Sequence, residues 1–191
     1  MKIGIIGTFN TGKTSLCHSL VGALKEKGVR AEFVPESVRN CPMPAGTEGN
    51  STLDSQMWII AKQVANEMEA EHNNDVIVCD SNIVNIYAYF LSILKNTPNP
   101  KEEFVSIAKS VLEEWHKTYD FLFKLTIPKE KQMMITNDGF RSVNLKWQKE
   151  IDVLIDQIIS SLGIKVYEIP LDSNLERVRK IMRIIEENKP F

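Results

Sequence analysis

An apolar run, Lys2-Ile3-Gly4-Ile5-Ile6, leads straight into Gly7-Thr8-Phe9-Asn10-Thr11-Gly12-Lys13-Thr14. Beyond it Leu16, Leu20, Val21 and Leu24 recur at helical spacing as far as Gly28. This order constrains the fold more than any other feature of the chain. It reads as a buried strand, a loop of the pattern G-x-x-x-x-G-K-[ST], and a helix with a glycine at its C-terminal cap. Glycines let the backbone curl so that successive N–H groups point inward at phosphate oxygens. The helix N-terminus adds partial positive charge. Lys13 is expected to reach the β- and γ-phosphates, and the Thr14 hydroxyl to ligate Mg²⁺. The expected nucleotide-binding set is Gly7, Asn10, Thr11, Gly12, Lys13, Thr14 and Ser15. The alternative is a chance glycine-rich turn, which would not require strand, motif and helix in this order.

Further apolar runs read as strands at 29–34, 75–80, 119–127 and 165–169, and helical patterns lie between them. The helices are expected over about 52–72 (Met57, Ile60, Ala61, Val64, Met68), from Ile83 to Leu94, around 104–112, over 147–162 up to Gly163, and over 175–185. Alternating strands and helices over 191 residues predict a single α/β domain, 1–191. Its sheet is expected to be parallel, covered on both faces and joined by right-handed crossovers. Two segments interrupt the alternation. Residues 40–51 are rich in Pro and Gly and read as a long loop on the substrate side. Residues 128–143 are polar and read as a lid-like segment that excludes water.

Ligands of such sheets bind beyond the carboxyl ends of the strands. The loop at 7–14, Glu36, Asp80 and the polar stretch after the fourth strand all follow strands, so they are expected to meet at one edge. Asp80 ends an apolar strand, the setting of a Walker B carboxylate, and is read as a Mg²⁺ ligand opposite Thr14 or a catalytic group. The alternative is that Asp80 or Ser81 caps the following helix. Glu36 is placed to orient an acceptor hydroxyl and take its proton. Arg39 is placed to pair with an anionic substrate group. Their alternatives are a solvated carboxylate and a surface arginine. In Asn137-Asp138-Gly139-Phe140-Arg141, Gly139 permits a sharp turn and Arg141 could stabilise charge on a transferring phosphoryl group. The alternative there is an ordinary turn. Met133 and Met134 read as packing residues.

Several residues carry plainer readings. Net charge is −2, so neither a nucleic-acid-binding face nor a polybasic membrane patch is expected. The strand opens at Lys2, so no signal peptide is expected, and no apolar run approaches the ~18 residues of a membrane span. Cys17, Cys41 and Cys79 are widely spaced and odd in number, and read as reduced, mostly buried thiols of a cytoplasmic protein. His18, His72 and His116 lack metal-ligand spacing. Trp58, Trp115 and Trp147 read as core, while Gln56, Trp58 and Gln63 remain secondary candidates for an acceptor pocket. Arg177, Arg179, Lys180 and Arg183 read as a solvated helix face.

The motif at the extreme N-terminus, Pro-Glu-Ser-Val-Arg after strand two, the acidic end of strand three and Asp-Gly-Phe-Arg after strand four together resemble the AAA_28-type P-loop kinases. That group includes the ribosylnicotinamide kinase domain of a bifunctional regulator of NAD biosynthesis, and deoxynucleoside and thymidylate kinases are more distant relatives. The resemblance spans essentially the whole chain. It implies a P-loop NTPase fold of the nucleoside-monophosphate-kinase kind: five parallel strands in the order 2-3-1-4-5, helices on both faces, and the P-loop strand central. It implies ATP and Mg²⁺ as donor system, and a small-molecule hydroxyl or phosphate as acceptor. Gly7, Gly12, Lys13 and Thr14 would hold phosphate and Mg²⁺, and Asp80 would be the Walker B-like carboxylate or base. Asp138, Gly139 and Arg141 would form the lid motif, with Asp138 on the substrate side, and Glu36 would match the carboxylate after strand two of deoxynucleoside kinases. Many relatives place Arg after the strand-three Asp. This chain reads Asp80-Ser81-Asn82, which leaves the acceptor open.

The leading expectation is therefore Mg²⁺-dependent transfer of the ATP γ-phosphoryl to a nucleoside, nucleotide or related metabolite. The alternatives are a regulatory NTPase acting through a protein partner and a nucleotide-binding subunit without catalysis. An N-K-x-D stretch and the glycine of a D-x-x-G switch are both missing, which speaks against a GTPase. The expected partners are the nucleotide and the acceptor, with a homodimer allowed for.

Overall fold

The central strands, KIGII, VIVCD and FLFKL, are buried along their whole length because helices cover both faces of the sheet. The computed structural model describes residues 1–126, 144–170 and 172–189. Along the chain run β1 (Lys2–Ile6), α1 (Lys13–Glu26), β2 (Ala31–Val34), a 3₁₀ turn (Ser37–Asn40), α2 (Leu53–Asn73), β3 (Val76–Asp80), α3 (Ile83–Leu94) and α4 (Glu102–Trp115). A second 3₁₀ turn (His116–Thr118), β4 (Phe121–Leu125), α5 (Leu145–Leu162), β5 (Tyr167–Ile169) and α6 (Asn174–Asn188) complete it. All strand pairs are parallel, in the order β2-β3-β1-β4-β5, so the strand that feeds the P-loop is central. This is the P-loop NTPase fold of the nucleoside-monophosphate-kinase kind.

Alternation along the strands sorts the core into two layers. Ile3, Ile5, Val76, Val78, Phe121 and Phe123 pack with Leu16, Leu20 and Leu24 of α1 and Ile181 and Ile185 of α6. Ile6, Ile77, Cys79 and Leu122 pack with residues of α2, α3, α4 and α5. Cys17 and Cys79 are buried and Cys41 half-buried, all as free thiols.

Several element bounds are tighter than the apolar pattern suggests. Strand two starts at Ala31 rather than at 29, where its ladder with β3 begins as the Arg30 carbonyl accepts from the Asp75 and Val76 amides. Strand four starts at Phe121, because residues 116–118 coil into the 3₁₀ turn; its expected end at 127 lies outside the described residues. Strand five is Tyr167–Ile169, not 165–169. Helix α2 begins after Thr52, which forms a reciprocal capping box with Ser55. Gly163 takes the left-handed conformation, at φ 60°, and stops α5 as its position in the sequence indicated.

A buried carboxylate ties α2 to the base of the sheet. Glu67 accepts from Gln63 Nε2 at 3.0 Å and the Tyr119 hydroxyl at 2.7 Å through Oε1. Its Oε2 accepts from Trp115 Nε1 at 2.7 Å and lies 3.5 Å from Lys2 Nζ. Burial first, and then the Glu67 charge, push the Tyr119 phenol well above its ordinary range and keep it a donor.

Three carboxamides hold β1 and the loop that follows it. Asn82 caps α3 by accepting from the Val84 and Asn85 amides, and its Nδ2 donates to the Ile5 carbonyl at 3.3 Å. The approach is close: a Cβ on Gly4 would stand 3.1 Å from that nitrogen and 2.7 Å from Leu122 Cδ2. Asn85 serves both polar groups of one residue, accepting from the Gly7 amide at 3.3 Å and donating to the Gly7 carbonyl at 2.5 Å. Gln148 on α5 donates to the Phe9 carbonyl at 2.7 Å.

Glu67→Ala takes the acceptor from Gln63 Nε2, Trp115 Nε1 and the Tyr119 hydroxyl at once, while Lys2 Nζ keeps Glu71 and Thr118, and urea unfolding should show a loss of about 3–5 kcal/mol. Asn85→Ala leaves both backbone groups of Gly7 buried without a partner; the same measurement should give a loss of at least about 2 kcal/mol.

Candidate active site

A loop that turns its amides toward a ligand must find other donors for its carbonyls. Residues 7–14 do so throughout most of their length. The Gly7 carbonyl accepts from Asn85, Thr8 from both Thr11 Oγ1 (2.8 Å) and Lys13 Nζ (2.9 Å), and Phe9 from Gln148. The Thr11 carbonyl accepts from Arg177 Nη1 at 3.2 Å, and the Gly12 carbonyl from the Leu16 amide. The curl itself needs left-handed backbone at Asn10 (φ 60°) and Gly12 (φ 82°). Gly12 caps α1 with no side chain, and the first turn of α1 has no acidic residue, so its leading N–H groups face outward as an anion cradle.

Thr14 follows in that first turn, and its hydroxyl donates to Asp80 Oδ2 at the end of β3. The alternative reading of Asp80 or Ser81 as the cap of α3 is set aside, because Asn82 is the cap. Ser81 instead takes φ 81° and turns the chain between β3 and α3. Asp80 is buried, and its Oδ1 has no hydrogen-bond partner. An orphaned carboxylate oxygen beside a hydroxyl is a hard-oxygen set. It fits Mg²⁺, which takes one or two protein ligands and completes its shell with phosphate oxygens and water. Among the described residues no cluster of three or more His, Cys, Asp or Glu exists that could hold a metal by protein groups alone.

Beside the loop lies a cleft lined by Phe9, Tyr89 and Trp147, by Gln56, Ser51 and Ser81, and by Glu36 at the mouth of the 3₁₀ turn after β2. The Trp147 ring packs against Phe9 and Tyr89 with centroids 5.6 and 5.5 Å apart. Its indole N–H is fixed by Ser92 Oγ at 2.9 Å.

The expected site residues are thus distributed unevenly. The P-loop set, Asp80 and Glu36 come together at one sheet edge. Arg39 is exposed on the 3₁₀ turn and does not line the cleft, while Ser15 is exposed on α1. Asp138, Gly139, Arg141, Met133 and Met134, with the lid-like segment 128–143, lie outside the described residues. Of the secondary candidates, Gln56 lines the cleft. Trp58 does not, and Gln63 lies behind it, accepting from Ser37 Oγ at 2.8 Å. Trp147 is core, as its apolar helix face indicated, and also a wall of the cleft. Arg177 departs from the solvated face expected of it, because the first turn of α6 packs onto the P-loop.

Asn82, Asn85, Gln148 and Arg177 are the residues that sequence reading missed. Asn85 and Gln148 did carry a signal, as carboxamides set among apolar helix positions that fold into the core.

The AAA domain family AAA_28 matches residues 2–177. No curated protein matches the sequence. Among solved structures, a NadR protein in complex with NR aligns with a TM-score of 0.70 at 17% identity, over 100% of this chain and 52% of its own. A NadR protein in complex with NAD and AMP-PNP aligns with a TM-score of 0.66 at 14% identity, over 100% of this chain and 49% of its own. Thymidylate kinase from Candida albicans aligns with a TM-score of 0.70 at 13% identity, over 99% of this chain and 92% of its own. The chain therefore spans about half the length of the NadR proteins. Among the described residues no helix is long and apolar enough to cross a membrane. The strand, P-loop and helix at the N-terminus, the parallel sheet around them and the match over residues 2–177 agree: this chain belongs to the AAA_28 family of AAA domains.

Proposed function

We propose that the protein transfers the γ-phosphoryl group of ATP to a hydroxyl of a small, nucleoside-like acceptor, with Mg²⁺ as cofactor. The observation that carries this reading is the cleft: it shares Phe9 with the P-loop, so an acceptor seated there lies next to the phosphate cradle. Aromatic walls and the Gln56 amide suit a flat ring with polar edges. Among the described lining residues there is no Lys or Arg, and Glu36 is the one ionised side chain. Among the described lining residues, an acceptor bearing its own phosphate would meet a carboxylate and no cation, which favours a nucleoside over a nucleotide.

In this reading the amides of residues 8–15 and Lys13 bind the donor phosphates, while the Gly7 amide is held by Asn85 and Gly7 serves the turn. Thr14 and Asp80 hold Mg²⁺, which when bound offsets the charge of the phosphate chain. Glu36 orients the acceptor hydroxyl and accepts its proton as that oxygen bonds to the γ-phosphorus. The bond to the bridging oxygen breaks, and ADP leaves. Glu36 is the better base of the two carboxylates, because it faces the cleft while Asp80 is buried against Thr14. Arg141 is assigned to charge stabilisation on the transferring group and Asp138 to the substrate side of the lid. The exposed Arg39 is given no role. The NadR and thymidylate kinase structures share the fold and support a kinase without naming the acceptor.

Lys13→Ala should abolish turnover while leaving the far-ultraviolet circular dichroism unchanged, since the Thr8 carbonyl that Lys13 Nζ serves keeps Thr11 Oγ1 as a donor. Glu36→Gln should lower kcat by about 10²- to 10⁴-fold with ATP affinity retained, as read by steady-state kinetics and calorimetry. A metabolite panel followed by mass spectrometry should give phosphorylated nucleosides and no products from nucleoside monophosphates. Products only from monophosphates would refute the choice of acceptor, and ADP release independent of any acceptor would favour a regulatory NTPase.

A further inference from the structure

Helix α6 reaches the P-loop through two side chains. Asn174 Nδ2 donates to the Ser15 carbonyl at 3.3 Å and to Ser19 Oγ at 2.6 Å, which pins the start of α6 to the first turns of α1. One turn on, Arg177 Nη1 donates to the Thr11 carbonyl at 3.2 Å. Its Nη1 and Nη2 stand 3.6 and 3.5 Å from the position a Cβ would take on Gly12. The guanidinium therefore lies against the Thr11–Gly12 part of the curl.

The charge of this group is poorly compensated. Its Nε is buried and has no hydrogen-bond partner. Among the described residues no carboxylate lies within ion-pair distance of it; Asp172 acts on it only through longer-range charge. Desolvation pulls its pKa below the ordinary guanidinium range, with Asp172 opposing. A partly desolvated cation without a counter-ion destabilises the fold that holds it. Fixed cations of this kind are retained where a ligand brings the opposite charge. Of five N–H donors, one is spent on Thr11.

We infer that Arg177 is a donor-binding residue: anchored on Thr11 by Nη1, its guanidinium presents its other donors to phosphate oxygens of the nucleotide that the P-loop holds. This rests on the nucleotide-binding reading above and adds to it a cation from the last helix. The planar fork gives directional contacts that an ammonium would not reproduce.

The test is calorimetry on the full chain with Mg·ADP and with inorganic tripolyphosphate, for the wild type, Arg177→Met and Arg177→Lys. Arg177→Met should weaken both ligands by about 10- to 100-fold, the scale of a charge-assisted hydrogen bond. Arg177→Lys should recover part of the loss. The dependence of log Kd on log salt should flatten in Arg177→Met, because one ionic contact is gone. The inference is overturned if both affinities stay within about twofold of wild type. It is equally overturned if ADP weakens while tripolyphosphate does not, which would put Arg177 on the base or ribose. An unchanged salt dependence alongside weaker binding would reduce Arg177 to a support for loop shape and also refute it. Wild-type protein that binds neither ligand would remove the nucleotide-binding reading itself, a result distinct from all three.

Discussion

Backbone amides can face a ligand only if the carbonyls of the same residues find other donors. In this chain those donors come from every side of the sheet. Asn85 serves Gly7 from α3, Gln148 serves Phe9 from α5, Arg177 serves Thr11 from α6, and Thr11 and Lys13 serve Thr8 from within the loop. The P-loop is thus a short segment held in a left-handed curl by side chains far away in sequence. Each of those helices is in turn positioned by the apolar layer it buries against β1, β3 and β4. The loop depends on the core, and the core is arranged so that its few buried carboxamides arrive where unpaired carbonyls stand.

The same logic extends to the cleft proposed for the acceptor. Ser37, directly after Glu36, is tied through Gln63 to Glu67, and Glu67 collects Tyr119, Trp115 and Lys2 at the base of the sheet. The turn that carries Glu36 to the cleft is therefore braced by a polar column running down α2. Trp147 links the two halves of the site, since its ring packs on Phe9 of the P-loop and on Tyr89 of α3. The P-loop and the cleft share one wall, the geometry that the proposed transfer between two bound molecules needs.

Much of this was legible in the sequence. The strand, motif and helix over residues 2–28 announced the phosphate cradle, and the apolar run ending at Asp80 placed a carboxylate beside Thr14, where its oxygen accepts from the Thr14 hydroxyl. Alternating strand and helix patterns specified a parallel sheet, and the family resemblance supplied its order. Strand limits were less readable, because apolar residues such as Val29 and Tyr119 also fill turns that pack on the core. The helix-face reading of Arg177 failed for a related reason. Charge pattern along a helix distinguishes core from surface, but not open surface from a surface that another loop covers.

By itself, the sequence determined what depends on neighbours along the chain: the left-handed glycine at position 12, the apolar strands, the capped helices and the carboxylates at strand ends. Their local conformational preferences are written in the residue types. Only the tertiary structure decided which donors satisfy the loop, which rings wall the cleft and which arginine lies on the cradle. Most of those choices are made by hydrogen bonds and packing between residues far apart in the chain, such as Gly7 with Asn85 and Thr11 with Arg177. Contacts of that range leave no periodic trace in the chain: a carboxamide among apolar helix positions marks itself as buried, but not the backbone group it will meet.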